Sequence, residues 1–225
     1  MAVVIIPAFQ PDQTVIGLVD QLWTLGYRVI IVDDGSDAEH QKVLDQVSDV
    51  AILLHHPVNR GKGAAIKTAL SYIQKEMWDC DVVGIMDCDG QHLVKDMKKV
   101  LECVEHHREA LVLGVRTLEK MPWKSRIGNR ITREIFHLLS GVKVSDTQTG
   151  LRAFSSDLIN TMRMVEGERY EYETNVLLAT AEAKIPIEET PIETVYHDRS
   201  NSCSHFHILR DSLRIYRDIV KYAWL

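Results

Sequence analysis

The chain has 225 residues, of which 45% are hydrophobic and 26% charged, and its formal net charge is -6 at pH 7. That is enough chain for one substantial core, and the composition is that of an ordinary soluble enzyme or binding protein, which excludes disorder. The acidic balance argues against a general nucleic-acid binder, whose footprint is a basic excess, so any anionic ligand must be met by local Arg and Lys clusters or by a metal.

Met1 to Phe9 is apolar, but it lacks a basic leading region and a small-residue cleavage site and it carries Pro7, so it reads as a first strand rather than a signal peptide. The strand is expected over Ala2 to Ile6, a continuous apolar run stopped by Pro7, the pattern of a strand buried on both faces. Val15, Leu18, Val19, Leu22 and Leu25 recur at helical spacing up to Gly26. A second strand covers Tyr27 to Val32 and ends in Asp33-Asp34-Gly35-Ser36. A third covers Val50 to Leu54 and runs into Asn59-Arg60-Gly61-Lys62-Gly63 and a helix over about Ala64 to Met77. Val82 to Met86 is a fourth strand, with a helix over about Val94 to His106 and a fifth strand from Ala110 to Val115. This alternation specifies a parallel sheet with helices on both faces.

The second half is less regular. Ile127, Ile131, Ile135, Leu138 and Leu139 make an amphipathic helix closed by Gly141. Asp146 to Phe154 follows, then a further helix, a Leu- and Ala-rich segment opened by Arg169 to Thr174, and an edge strand bracketed by Pro186 and Pro191. No repeat, low-complexity tract or linker interrupts residues 1–207, which are expected to form one domain, with residues 208–225 as a C-terminal amphipathic helix. There Arg210, Arg214, Arg217 and Lys221 fall on a stripe about 60° wide. No apolar run approaches the ~20 residues of a spanning helix. Cys80, Cys88, Cys103 and Cys203 show neither paired nor zinc-type spacing and read as free thiols in a reducing compartment. The expectation is a cytoplasmic protein, with a peripheral contact at the inner face of the membrane through the basic stripe or through a membrane partner protein, unless that helix packs on its own sheet or in a homo-oligomer.

The chemistry centres on Val82 to His92, where an apolar strand ends abruptly in Asp87 and Asp89, one residue apart. In an open α/β sheet, ligands collect beyond the carboxyl ends of the strands. Two close carboxylates repel unless a cation or a proton lies between them, and a hard ion such as Mg²⁺, held by one or two carboxylates plus substrate phosphates, settles that repulsion. The plain alternative is a solvated Asp-x-Asp-Gly turn. A dinucleotide-binding G-x-G-x-x-G is missing after the first strand, and Gly61-Lys62-Gly63 lacks the spacing and Ser/Thr of a P-loop. That segment reads as a helix N-terminus built of turn residues, the alternative being a phosphate contact through its backbone N–H groups, with Lys62 near the ligand. No His is assigned as a ligand, since hard-cation chemistry does not require imidazole. His205 is kept only as an acceptor-side donor.

Seven segments in order carry a resemblance: Pro7-Ala8-Phe9, Val32 to Ser36, Asn59 to Gly63, Asp87-Cys88-Asp89-Gly90-Gln91-His92, Gly114-Val115-Arg116, Asp146 to Phe154, and Tyr172-Glu173-Thr174. Together they resemble family 2 glycosyltransferases of the GT-A fold, specifically the dolichyl- and polyprenyl-phosphate sugar transferases. The resemblance implies a Rossmann-like, open, mixed and mostly parallel sheet with helices on both faces, and makes residues 1–207 the catalytic domain. It implies a nucleotide-sugar donor, a UDP-sugar being favoured, a lipid-phosphate acceptor, Mg²⁺ or Mn²⁺, and inversion at the anomeric carbon.

Carried over, it places Pro7, Phe9, Asp34, Lys62 and Asp87 at the donor, with Asp34 on the base and Asp87 on the ribose side, and Asp89 with Gln91 on the metal. Arg116, Arg130 and Arg152 would face the diphosphate or the acceptor phosphate, Asp146 would shape the acceptor side, and Glu173 would be the family's catalytic carboxylate. A lipid-phosphate acceptor needs positive charge that aligns two anions; a hydroxyl acceptor makes Glu173 a general base. Phe9, Gln10 and Pro11 depart from the family's first loop, which leaves donor identity open, and family members commonly carry spanning helices after the catalytic domain. Two rival readings remain. A haloacid-dehalogenase-type phosphohydrolase would match Asp87-Cys88-Asp89-Gly90, but on the wrong strand; the other is a nucleotide-sugar-binding subunit without turnover.

Overall fold

In a computed structural model of the chain, residues 1–117, 123–193 and 195 are described. The elements in order are β1 (Ala2–Ala8), α1 (Thr14–Thr24), β2 (Arg28–Asp33), α2 (Ala38–Asp45), β3 (Ala51–His55), α3 (Lys62–Glu76), β4 (Val82–Ile85), α4 (Val94–His106), β5 (Leu111–Arg116), α5 (Trp123–Ser140), β6 (Arg152–Ser155), α6 (Ile159–Met164), α7 (Glu171–Glu182) and β7 (Ile187–Ile192). They form a seven-stranded sheet in the order β3-β2-β1-β4-β6-β5-β7. β1 pairs in parallel with β2 and β4, β2 with β3, and β5 with β7; β6 runs antiparallel to both β4 and β5.

Alternation along each buried strand feeds two cores, one on each face of the sheet. Val3 and Ile5 of β1 and Ile30 and Val32 of β2 face a layer with Ile66 and Leu70 of α3, Phe136 of α5 and Tyr172 of α7. Val4 and Ile6, with Val29 and Ile31, face Leu18 and Leu22 of α1 and Met97 and Leu101 of α4. Helices thus cover both faces, as the βα alternation predicts.

The mixed, mostly parallel sheet agrees with the expected fold class, with two local corrections. The first strand does not stop at Pro7, which pairs in register with Val32, and Ala8 pairs with Asp33. Proline is tolerated there for a geometric reason. The Ala8 carbonyl accepts from Asp34 N on the β2 side and the Ile5 carbonyl from Met86 N on the β4 side. By alternation Pro7 points its missing N–H toward β4, whose ladder ends at the Ile5–Ile85 pair. The second correction is β6, which the sequence conceals inside the segment from Asp146 to Phe154 and which inserts between β4 and β5. The edge strand between the two prolines is confirmed as β7. Its Pro186 carbonyl accepts from Leu111 N, so Pro191, five residues on, faces the open edge.

The strand order reverses at β1, with β2 on one side and β4 on the other. That is a topological switch point, and the crevice beyond the carboxyl ends of β1 and β4 is where such sheets bind ligands. Phe9 follows one of these strands and Met86 to Gln91 the other. The C-terminal helix expected over 208–225, with its four basic residues, and His205 and Cys203 lie outside the described residues.

Candidate active site

At the end of β4 the chain turns through Asp87, Cys88, Asp89 and Gly90. The turn is closed by Gln91 N, which donates to Asp89 Oδ1 at 3.0 Å, and Gly90 supplies a backbone φ of 71°. Asp87 does not face solvent alone. Lys62 Nζ, from the first residue of α3, lies 2.6 Å from Asp87 Oδ1 and 2.8 Å from Glu173 Oε1 on α7. The ammonium therefore bridges two carboxylates, so that three charged groups from three separate parts of the chain meet, the start of α3, the turn after β4 and α7. His92 Nε2 is 3.6 Å from Asp87 Oδ2, and His92 Nδ1 is buried without a partner.

Burial by itself would raise the Asp87 carboxyl, but the Lys62 ammonium and the His92 side chain more than reverse this and hold it well below the usual carboxylate range. Burial would likewise lower Lys62, yet Asp87 and Glu173 hold its ammonium firmly protonated. Asp89 is the opposite case, because burial and the neighbouring Asp87 charge raise its carboxyl. One carboxylate of the pair has its cation within the protein, while the other carries the strain that a cation would relieve. The Cys88 thiol is pushed up to about 12 by burial and by Asp89 and Asp87, so it remains neutral and is no nucleophile.

Several surrounding residues hold this cluster in place. A Cβ on Gly150 would lie 2.2 Å from Asp87 Oδ2 and 3.0 Å from Lys62 Nζ, so only glycine fits. Gly61 just before α3 has φ of 111°, and a Cβ there would meet the Glu168 carbonyl at 2.4 Å. That carbonyl instead accepts from Ala64 N, docking the N-terminus of α3 on the turn that opens α7. Arg169 Nη1 donates to Asn59 Oδ1 at 3.0 Å across the same contact.

The expected donor-side residues are placed as follows. Pro7 is buried at the end of β1 and Phe9 half-buried in the following loop. Gln10, at φ 49°, donates to Ser36 Oγ at 2.8 Å and joins that loop to the one after β2. The Asp34 carboxylate is turned inward: it accepts from Arg60 N at 2.9 Å and Gly61 N at 2.7 Å and lies 2.7 Å from His56 Nδ1, whose Nε2 is 2.9 Å from Thr68 Oγ1. It thereby orders the loop that delivers Lys62. Gln91 is buried beside Asp89.

The three arginines do not share one environment. Arg116 forms a fork on Asp146, with Nε 2.6 Å from Oδ2 and Nη2 2.9 Å from Oδ1, and Asp146 is fully buried. Asp146 also accepts from Gln148 N at 3.1 Å, so the pair fastens the end of β5 to the loop before β6. Arg152 is buried, donating from Nε to the Thr149 carbonyl at 3.0 Å and from Nη1 to the Glu173 carbonyl at 2.6 Å. Its Nη2 is buried without a partner. Arg116 and Arg152 thus brace loops in this structure, Arg116 through Asp146 and Arg152 through the carbonyls of Thr149 and Glu173. Arg130 is exposed on α5, next to Asn129, whose buried Oδ1 accepts from Thr147 N and Oγ1.

Sequence reading missed His92, which sits against Asp87, and the bracing by Gly150. The only available signal was their presence inside motifs already singled out. Among the described residues no three His, Cys, Asp or Glu side chains converge as a metal site. The oxygen donors of Asp89 and Gln91 fit a hard cation that completes its shell with substrate phosphates and water.

An acidic turn at the switch point of a mixed α/β sheet, bridged by a lysine, is an arrangement found where doubly wound sheets take their ligands, beyond the carboxyl ends of the strands. Comparison with known proteins narrows this. Residues 3–163 match the model of Glycosyl transferase family 2, and the chain belongs to that family. It is 30% identical over 220 residues to the UDP-N-acetylglucosamine–dolichyl-phosphate N-acetylglucosaminyltransferase of Methanococcus voltae, covering 87% of this chain and 86% of that protein. It is 22% identical over 175 residues to the polyprenol monophosphomannose synthase of Mycolicibacterium smegmatis, covering 73% of this chain and 65% of that one. Among solved structures, glucosyl-3-phosphoglycerate synthase from Mycobacterium tuberculosis, in complex with Mn²⁺, UDP and glucosyl-3-phosphoglycerate, matches with a TM-score of 0.70. The identity is 17%, and the match covers 99% of this chain and 78% of that one. At that identity the likeness is one of fold, and the fold is GT-A. The chain is a family 2 glycosyltransferase similar to polyprenyl-phosphate sugar transferases. No helix among the described residues is long and apolar enough to cross a membrane.

Proposed function

We propose that this enzyme moves a sugar from a nucleotide diphosphate sugar, a UDP-sugar in preference to a GDP-sugar, onto a polyprenyl phosphate, with inversion at the anomeric carbon. The observation that carries the reading is the Lys62 bridge, which brings the Asp87–Gln91 turn and Glu173 together at the switch point. The similarity to the Methanococcus enzyme supports the UDP-sugar and the lipid phosphate.

In this reading Pro7 and Phe9 bound the nucleoside, Asp87 presents its Oδ2 edge to the ribose because Lys62 holds Oδ1, and Asp89 with Gln91 holds Mg²⁺ or Mn²⁺. A divalent cation bound there would offset the diphosphate charge as the nucleotide leaves. The acceptor phosphate, with a second pKa near 6, is largely ionised at neutral pH. Its oxygen attacks the anomeric carbon, the bond to the diphosphate breaks, and the nucleoside diphosphate departs with the electron pair. No proton has to be removed. Glu173 suits this chemistry because its Oε1 already faces an ammonium, which is itself a proton donor. Its work is to hold Lys62 and, through Lys62, Asp87. Arg116 with Asp146, and Arg152 with Thr149 and Glu173, stiffen the loops around the crevice, and Arg130 is the exposed guanidinium left to meet an anionic substrate. The basic stripe of residues 208–225 would hold the enzyme at the inner face of an anionic membrane near its acceptor.

The test is incubation with a panel of UDP- and GDP-sugars, Mn²⁺ or Mg²⁺, and polyprenyl phosphate. UDP release with formation of a glycosyl lipid phosphate is expected, and addition of excess chelator should stop it. Transfer only to hydroxyl acceptors, release of inorganic phosphate, or turnover in chelator would each overturn the reading.

A further inference from the structure

After β7 the chain does not leave the sheet freely. Glu193 N donates to Asp96 Oδ2 at 2.9 Å, Lys95 Nζ lies 2.7 Å from Glu193 Oε2, and Val195 N donates to the Gln91 carbonyl at 3.0 Å. These contacts run along one line, from the first turn of α4 to the acidic turn after β4. Gln91 N in turn closes that turn on Asp89.

Asp96 is unusual for its place. It is the third residue of α4, where a carboxylate benefits from the helix dipole and normally caps the helix or faces water. Here it is fully buried, makes no cap, and spends one oxygen on Glu193 N and the other on Lys99 Nζ at 2.8 Å. A buried carboxylate that satisfies a backbone N–H 97 residues away fixes that backbone.

We propose that Asp96 is a positioning residue for the Asp87–Gln91 turn, acting through the chain that leaves β7. By holding Glu193 it sets Val195 against the Gln91 carbonyl, and so fixes the Gln91–His92 peptide, the neighbour of the Gly90–Gln91 peptide whose N–H closes the turn on Asp89. The inference rests on the reading of that turn as the donor and metal site.

The test compares Asp96→Ala, Asp96→Asn and Asp89→Asn by hydrogen exchange and by calorimetric titration with Mn²⁺ and UDP. In Asp96→Ala the Val195 and Gln91 amides should exchange about tenfold faster or more, while amides of β1 and β2 keep their protection. Affinity for Mn²⁺–UDP should fall about tenfold, within the range seen when a residue supporting a metal ligand is removed, and kcat at saturating donor should stay within about threefold. Asp96→Asn keeps an oxygen for Glu193 N and should restore most of the affinity. The inference is overturned if exchange at Val195 and Gln91 is unchanged or rises equally everywhere, if Asp96→Asn is as impaired as Asp96→Ala, or if only Asp89→Asn weakens Mn²⁺–UDP. Unchanged binding in Asp89→Asn as well overturns the donor-site reading itself.

Discussion

Lys62 Nζ and Glu173 Oε1 stand 2.8 Å apart across 111 residues of sequence, and the same ammonium holds Asp87 Oδ1 at 2.6 Å. Deleting this one cation would leave two largely buried carboxylates facing each other. Lys62→Met is therefore expected to cost about 3–5 kcal/mol at pH 7, the scale of breaking a buried pair from one side. The pH dependence gives the sign. Asp87 is depressed in the folded protein, so its contribution is present above the ordinary Asp value near 3.9 and is lost as pH falls below it. Urea denaturation at pH 7 and at about pH 2.5 checks this: the deficit of Lys62→Met should shrink at the lower pH, and an unchanged deficit would contradict the bridge.

Gly150 is the clearest steric constraint on the site. Gly150→Ala places a methyl 2.2 Å from Asp87 Oδ2, so Asp87 and Lys62 must move. A displacement of about 1 Å at such a group costs on the order of a hundredfold in kcat/KM. The expected outcome is that loss, most of it in donor KM, with the far-ultraviolet circular dichroism retained.

The arginines should separate by readout. Arg116→Ala leaves the fully buried Asp146 unpaired, and Arg152→Ala frees the Thr149 and Glu173 carbonyls, so both should lower the melting temperature along with activity. Arg130→Ala should lower the chemical step by about 2–4 kcal/mol, the scale of one electrostatic stabiliser, without changing the melting temperature. Thermal scans beside single-turnover kinetics decide it; a large melting loss in Arg130→Ala would reassign that residue to structure.

If Asp89 holds the metal as proposed, it sets the pH dependence of metal binding. Burial and Asp87 raise its carboxyl, so a cation must compete with a proton at higher pH than at an ordinary aspartate. Calorimetry with Mn²⁺ and UDP should show affinity falling as pH is lowered from neutrality, with proton release growing over the same range. Asp89→Asn should abolish metal-dependent binding and turnover with the fold intact.

How far the sequence could be read depended on the range of the interaction. Binary patterns such as Val82 to Ile85 followed by Asp87 and Asp89 are local, and they located the strands, the parallel alternation and the acidic turn without any coordinates. The ordered motifs likewise announced the family. β6 was hidden because Arg152 to Ser155 is no apolar run like that of β4 but begins with a charge and ends on a hydroxyl, and only pairing with β4 and β5 makes it a strand. Side-chain roles were decided by partners far away in the chain. The sequence shows Arg116, Arg152 and Asp34 as charges inside motifs, and only the fold shows that Arg116 pairs with Asp146, that Arg152 donates to the carbonyls of Thr149 and Glu173, and that Asp34 accepts from the amides of Arg60 and Gly61. A sequence states which charges a protein owns. Which of them neutralise one another inside, and which, like Asp89, are left wanting a counter-ion, follows from distances that only the folded chain creates, because at these separations burial and pairing set the energy of each charge.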